Sequence, residues 1–311
     1  MDRFDELYLE TLESEAPTIA QALVHLQKGL GKRLRPIIVI LTAECFGVRN
    51  DRVIQAAVSL ELLHMASLIH DDIVDESMVR RGESSFNALL GNHKSVLLGD
   101  YILSNAFSLA ISLGIPPLVQ RMAKLGASLS EGELLQLDIA QLADTTEEQY
   151  MTVIRQKTAA LIQCCMMTGA TVAGVEDPQI LQNLSDASMD LGIAFQIKDD
   201  IFDYLPTPQL GKPSGNDLKE HKVTLPLIHA LRSSSADAIK AKKLLRKQQL
   251  SEREIDFLVN FAIRSGGVEY ADEVMRTHVN QCKTLLQETL PESTAREALL
   301  SVCDYVVDRD K

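Results

Sequence analysis

His70-Asp71-Asp72-Ile73-Val74-Asp75 and Lys198-Asp199-Asp200-Ile201-Phe202-Asp203 are the two stretches on which this chain turns. Both have the form DDxxD, and both lie inside long apolar runs that read as helix. Positions i and i+4 share a helical face, so Asp71 stacks on Asp75 and Asp199 on Asp203. Like charges at that spacing weaken a helix, and a buried unpaired carboxylate costs far more. The flanks are greasy: Leu68, Ile69, Ile73 and Val74 at one motif, Ala194, Phe195, Ile197, Ile201 and Phe202 at the other. One such motif alone reads as an ordinary solvated helix face. Two copies in such surroundings call for a counter-charge. An all-oxygen acidic donor set favours a hard cation such as Mg²⁺, which takes one or two carboxylates plus water and substrate phosphate.

The rest of the composition fits a helical protein. The 311 residues are 46% hydrophobic, with few aromatics and no Trp, so the chain can bury a sizeable core. The net charge of −12 argues against a nucleic-acid binder, since phosphate contacts need surplus Lys and Arg. The five cysteines, Cys45, Cys164, Cys165, Cys282 and Cys303, show no metal-ligand spacing and read as small core residues in a reducing compartment. The acidic start Met1–Glu6 lacks signal-peptide order, and no apolar stretch of about 18 residues is free of charge or His. The expectation is a soluble, cytoplasmic protein that a greasy product could draw to a membrane surface.

Taken in order, residues 4–29 read as a helix pair broken near Pro17. Pro36 suits the first turn of a helix that stops at Gly47. Asn50 or Asp51 can cap a long helix from about 52 to 76 carrying the first acidic motif. Helices follow at about 94–113 and from Pro116 to about 142. Asp144–Glu148 offers capping-box chemistry for a helix over 147–173, and Pro178 opens another that runs to Tyr204 with the second motif near its end. Residues 205–223 read as a loop, and loops longer than about 12–15 residues are usually functional. Shorter helices fill 224–311. Without period-2 alternation or a hairpin signal, one all-α domain over 1–311 is expected, with the acidic helices facing a central cavity.

Cations stand near both motifs. Arg80-Arg81 follow the first, Lys157-Thr158 lie mid-helix, and Lys198, Lys212, Lys219 and Lys222 surround the second. Arg forks bind phosphate bidentately and Lys supplies a point charge. Metal on carboxylates opposite Arg and Lys makes a cradle for a diphosphate whose other end is hydrocarbon. Departure of a metal-bound diphosphate leaves a carbocation, which an apolar interior shields from water. No Ser/His/Asp or Cys/His nucleophile, Walker loop or dinucleotide fingerprint competes with this reading.

Over nearly its full length the chain resembles the trans-isoprenyl (polyprenyl) diphosphate synthases. The motifs that carry the resemblance are GKRLRP at 31–36, ELLHMASLIHDDIVDE at 61–76, RRG at 80–82, GD at 99–100, KT at 157–158, FQIKDDIFD at 195–203 and GKPSGNDLKEHKVTLP at 211–226. Leu30 stands where a second glycine often precedes Gly31, and Met78-Val79 where Asp-Met is usual. The resemblance implies a helical bundle of the isoprenoid synthase type with a central elongated cavity, usually homodimeric. It also implies head-to-tail addition of isopentenyl diphosphate to an allylic diphosphate. On this resemblance Asp71, Asp72, Asp75, Asp199, Asp200 and Asp203 hold an Mg²⁺ cluster that bridges the two motifs and the allylic diphosphate. Arg80, Lys157, Lys212 and Lys222 contact that diphosphate, while Thr158 and Gln196 steady the cation. Lys32, Arg33, Arg35, His64 and Arg81 hold isopentenyl diphosphate, and the last proton leaves on released diphosphate. The tail Asp308–Lys311 resembles one that closes over the site.

Bulky residues four and five positions before the first aspartate block elongation early in this family. Here Ser67 and Ala66 stand there, both small, with Leu63, Leu62 and Ser59 farther along the helix. An open tunnel implies a medium- or long-chain synthase, octaprenyl at the centre of the range, starting from farnesyl or geranylgeranyl diphosphate and feeding a quinone side chain or similar lipid. The competing readings are a geranylgeranyl diphosphate synthase, the catalytic subunit of a heteromeric synthase, a class I terpene cyclase and a non-catalytic partner subunit. GKRLRP and the intact second motif count against a cyclase, and both whole motifs count against a silent partner.

Overall fold

The computed structural model describes residues 1–28, 32–80, 82–140, 145–205 and 215–309, and these are overwhelmingly helical. They fall into two compact units. The first comprises Met1–Gly126, Cys164–Ser185 and Thr289–Leu299, the second Ala127–Gln163, Asp186–Glu288 and Leu300–Lys311.

The first unit is built around one helix. Helix α1 (Asp2–Glu10), α2 (Pro17–Lys28) and α3 (Leu34–Cys45) lead to α4 (Asp51–Val74). The Asn50 side chain caps α4 by accepting from the Arg52 and Val53 amides, as the sequence predicts. Helix α4 has no single apolar stripe: every residue from Ala56 to His64 is buried, so burial runs all round it. A helix apolar on all sides belongs in a core. It packs against α1, α3, α5 (Phe86–Leu90) and α6 (Asn92–Ser112). By length and composition α4 and α6 could each cross a membrane, although two-thirds of the apolar window of α4 is buried inside the protein.

A small correction follows α4. Strands β1 (Val79–Arg80) and β2 (Glu83–Ser84) pair antiparallel, where the sequence shows no hairpin signal. Two residues are too few for alternation to register. Gly82, at φ +84°, lies between the strands in the left-handed region that glycine tolerates.

The second unit holds the end of α7 (Pro116–Ala140), then α8 (Glu147–Ile154) with its Thr146/Gln149 capping box. The single helix expected over 147–173 is interrupted by a π-helical turn, Arg155–Ala159, before α9 (Ala160–Val172), which from Cys164 onward counts to the first unit. Gly192 on α10 (Pro178–Tyr204) allows close approach to that turn, since a Cβ there would fall 2.4 Å from Ala159 Cα. The short helix α11 (Asn216–Lys219) lies within the stretch read as loop. Next come α12 (Leu225–Ala230), α13 (Ala236–Leu244), α14 (Glu252–Arg264), α15 (Gly267–Thr289) and α16 (Thr294–Asp308). Helix α14 buries Ile255, Leu258, Val259 and Ala262 at helical spacing against Tyr204, Leu218 and Leu227. All five cysteines are buried, the core placement expected from the sequence, and none is in a disulfide.

Candidate active site

In the first unit the acidic motif occupies the last turn of α4. Asp71 and Asp75 are half-buried, whereas Asp72 is 2% exposed. The hairpin folds back so that Arg80 Nε donates to both Asp72 oxygens at 2.7 and 2.8 Å, with Nη2 also 2.7 Å from Oδ1. Asn87 Nδ2 donates to the Asp72 carbonyl at 3.2 Å. The resemblance assigns Arg80 to a diphosphate; here its guanidinium neutralises Asp72. The GD pair has a packing reason. His70 Nε2 lies 3.3 Å from the Val96 carbonyl and 3.5 Å from Asp100 Oδ1, and a Cβ on Gly99 would fall 2.3 Å from that nitrogen.

His64 is buried on α4, Lys32 is exposed and Arg35 is half-buried. Arg33 is committed elsewhere. At φ +53° its backbone is left-handed, and its guanidinium bonds Glu61 at 3.1 Å and Asp5 at 3.3 Å over the Phe4 and Tyr8 rings. Ala66 and Leu63 are buried, and Ser67 donates to the His64 carbonyl at 2.8 Å. Arg81, Lys212 and the last two tail residues lie outside the described residues.

In the second unit the motif near the end of α10 sits in a chain of hydrogen bonds. Thr158 Oγ1, in the π-helical turn, donates to Gln196 Oε1 at 2.6 Å. Gln196 Nε2 donates to Asp200 Oδ1 at 2.8 Å, and Tyr150 Oη to Asp200 Oδ2 at 2.6 Å. Burial pushes the Asp200 carboxyl up to about 7 despite these donors. Burial also raises Asp203, whose two oxygens accept from the Asn216 and Asp217 amides at 2.9 and 3.1 Å. Burial, then Asp200 and Asp203, hold Asp217 well above the carboxylate range. Asp199 pairs with Arg309 at 2.8 Å, and Lys198 donates to the Val307 carbonyl at 2.6 Å. Lys157, Thr158, Gln196, Asp200, Asp217 and Lys222 line a cavity of about 180 Å³. Its apolar wall includes Ile139, Val153 and Ile154.

A sequence model of the polyprenyl synthetases matches residues 16–262. The chain belongs to the polyprenyl synthetase family. It is accordingly a prenyltransferase. The octaprenyl diphosphate synthase of Haemophilus influenzae is 37% identical over 311 residues, covering 100% of this chain and 94% of that protein. A short chain isoprenyl diphosphate synthase of Methanothermobacter thermautotrophicus is 36% identical, with 98% and 95% covered. A polyprenyl synthase from Caulobacter crescentus, solved with calcium and isoprenyl diphosphate, has a TM-score of 0.92 at 31% identity, with 100% and 95% covered. Solved polyprenyl synthases such as this one carry the all-α isoprenoid synthase fold expected from the sequence.

Among the described residues of this polyprenyl synthetase, no three Asp, Glu, His or Cys side chains converge into a cage. The donors nonetheless suit Mg²⁺, which needs only one or two carboxylates when water and phosphate complete its shell. Burial, and for Asp217 also the neighbouring charges of Asp200 and Asp203, disfavours these carboxylates, a penalty that a bound cation relieves. Gln136, Tyr150 and Asp217 line the cavity and were missed in the sequence, since each is brought to it only by the fold.

Proposed function

We propose that this prenyltransferase adds isopentenyl diphosphate units in trans to an allylic diphosphate, farnesyl or geranylgeranyl, giving a medium- or long-chain all-trans product centred on octaprenyl. The observation that carries this reading is the cavity in which Lys157, Lys222, Thr158, Gln196 and Asp200 meet an apolar wall. Aspartates 71, 72, 75, 199, 200 and 203 would hold Mg²⁺, which when bound supplies Lewis-acid assistance to diphosphate departure.

The chain's own groups do the rest. Lys157 and Lys222 offer positive charge to the diphosphate. Because the Thr158 hydrogen is committed to Gln196, its oxygen lone pairs remain for the allylic cation. Ile139, Val153 and Ile154 keep water from that cation. Lys32, Arg35, His64 and Arg81 would take isopentenyl diphosphate. Its proton goes to the released diphosphate, and no protein base is required.

Small, buried Ala66 and the octaprenyl relative support a long product. The short-chain relative of nearly equal identity supports a shorter product as the second reading, geranylgeranyl included. The exposed apolar residues Leu97 and Ile111 on α6 support a homodimer. The protomers of this proposal are single-domain and cytoplasmic, and would touch a membrane only for product release.

Purified protein given radiolabelled isopentenyl diphosphate, farnesyl diphosphate and Mg²⁺ tests the assignment. A ladder ending near octaprenyl is expected. A cyclic hydrocarbon would instead show a cyclase, and an inert protein a partner subunit.

A further inference from the structure

Lys157 is held from behind by a closed ring of hydrogen bonds. Its Nζ donates to Gln136 Oε1 at 3.1 Å and pairs with the Glu133 carboxylate. The Gln136 amide closes the ring by donating from Nε2 to Glu133 Oε1 at 3.5 Å. Each donor meets an acceptor, which orients the amide with its oxygen toward Lys157.

The backbone around the ring is shaped for it. Gly132 lets α7 approach the π-helical turn, for a Cβ there would lie 2.8 Å from Gln156 Cβ and 2.9 Å from Lys157 Cγ. Ser128 Oγ donates to the Gln156 carbonyl at 3.4 Å, giving the widened turn a partner on α7. Such turns recur at functional sites because they re-aim the side chains they carry. Lys157 and Gln136 line the cavity while Glu133, 13% exposed, stands outside its lining. An ammonium has three donors, and the ring spends two. The third is left for a ligand in the cavity.

We infer that Glu133, assisted by Gln136, is the positioning residue that aims Lys157 at the allylic diphosphate. This rests on Lys157 contacting that diphosphate, as proposed above. A free lysine samples many rotamers, and the ring orders this one before substrate arrives. Glu133 also offsets the ammonium charge. Losing it should therefore lower turnover without weakening ground-state binding of the diphosphate.

The test is a double-mutant cycle of Glu133→Gln and Lys157→Met, read by steady-state kinetics with the allylic diphosphate varied and by thermal midpoint. Glu133→Gln should reduce kcat about ten- to hundredfold with an unchanged midpoint and no rise in either substrate's KM. The double variant should be no slower than Lys157→Met alone. Wild-type kcat for Glu133→Gln, or losses that multiply in the double variant, would overturn the inference. Near-normal kcat for Lys157→Met would instead remove Lys157 from the diphosphate site, and the inference with it. Should Glu133→Gln fold poorly, Gln136→Met opens the ring at another corner and should lower kcat in the same direction; wild-type kcat there would contradict the ring's role.

Discussion

The two DDxxD motifs share a sequence pattern and a buried middle aspartate, yet the protein satisfies them differently. Asp72 meets a full opposite charge, the Arg80 fork. Asp200 meets two neutral donors, Tyr150 and Gln196, and burial drives it up to about 7. Asp72 is thus neutralised by the chain itself, while Asp200 stays a buried carboxyl in a cavity with two lysines. One pattern serves two states of readiness. The helix of the first motif also carries the buried Ala66 and Leu63, whereas Asp200 of the second ends a chain of hydrogen bonds that runs from Thr158 through Gln196.

The sharpest way to break this contrast is Asp200→Asn. Turnover should fall about a thousandfold, as expected when several kcal/mol of metal-assisted stabilisation is lost. The same variant sharpens the contrast in metal-free protein. Between the unfolded value of 3.8 and about 7, native Asp200 keeps a proton that the unfolded chain releases. Its contribution to stability is therefore full below that window and lost as pH rises through it. Denaturant titrations in chelator should show a flatter pH dependence for Asp200→Asn than for the wild type.

Arg80→Met strips Asp72 of its counter-charge. Because Arg80 is 36% exposed, water offsets part of the loss, and a destabilisation of about 2 kcal/mol is expected by chemical denaturation. Ala66→Phe overpacks the wall beside the first motif, costing about 1–2 kcal/mol, and should shorten the products seen by reversed-phase thin-layer chromatography. An unchanged length distribution would take Ala66 out of the tunnel. Tyr150→Phe removes one neutral donor from Asp200 at a cost of about 1 kcal/mol. It should also move the pH dependence of metal-free stability upward, since the lost bond favoured the charged form.

Much of the helical fabric was legible because its signals are local. Asn50 and Thr146 cap where their side chains suggest, Pro178 opens its helix, and both acidic motifs fall on the helices expected to carry them. The relations across the chain were not legible. Residues 32–35 read as one basic knot, yet a left-handed backbone at Arg33 turns that side chain to Glu61 and Asp5. The π-helical turn adds no signal to apolar periodicity, so Lys157 read as a lysine in an ordinary helix. Glu133 and Gln136 belong to no motif in the sequence, because their partner arrives only after the chain has turned back. Asp217 stands apart from any acidic motif and becomes part of the site only where α11 brings it beside Asp200.

The most direct test is a crystal structure grown with Mg²⁺ and an unreactive allylic diphosphate analogue. Metal bound to aspartates of both motifs and to the diphosphate, with Lys157 and Lys222 on its oxygens, is the predicted result. Aspartates left metal-free, or a diphosphate seated away from them, would contradict it.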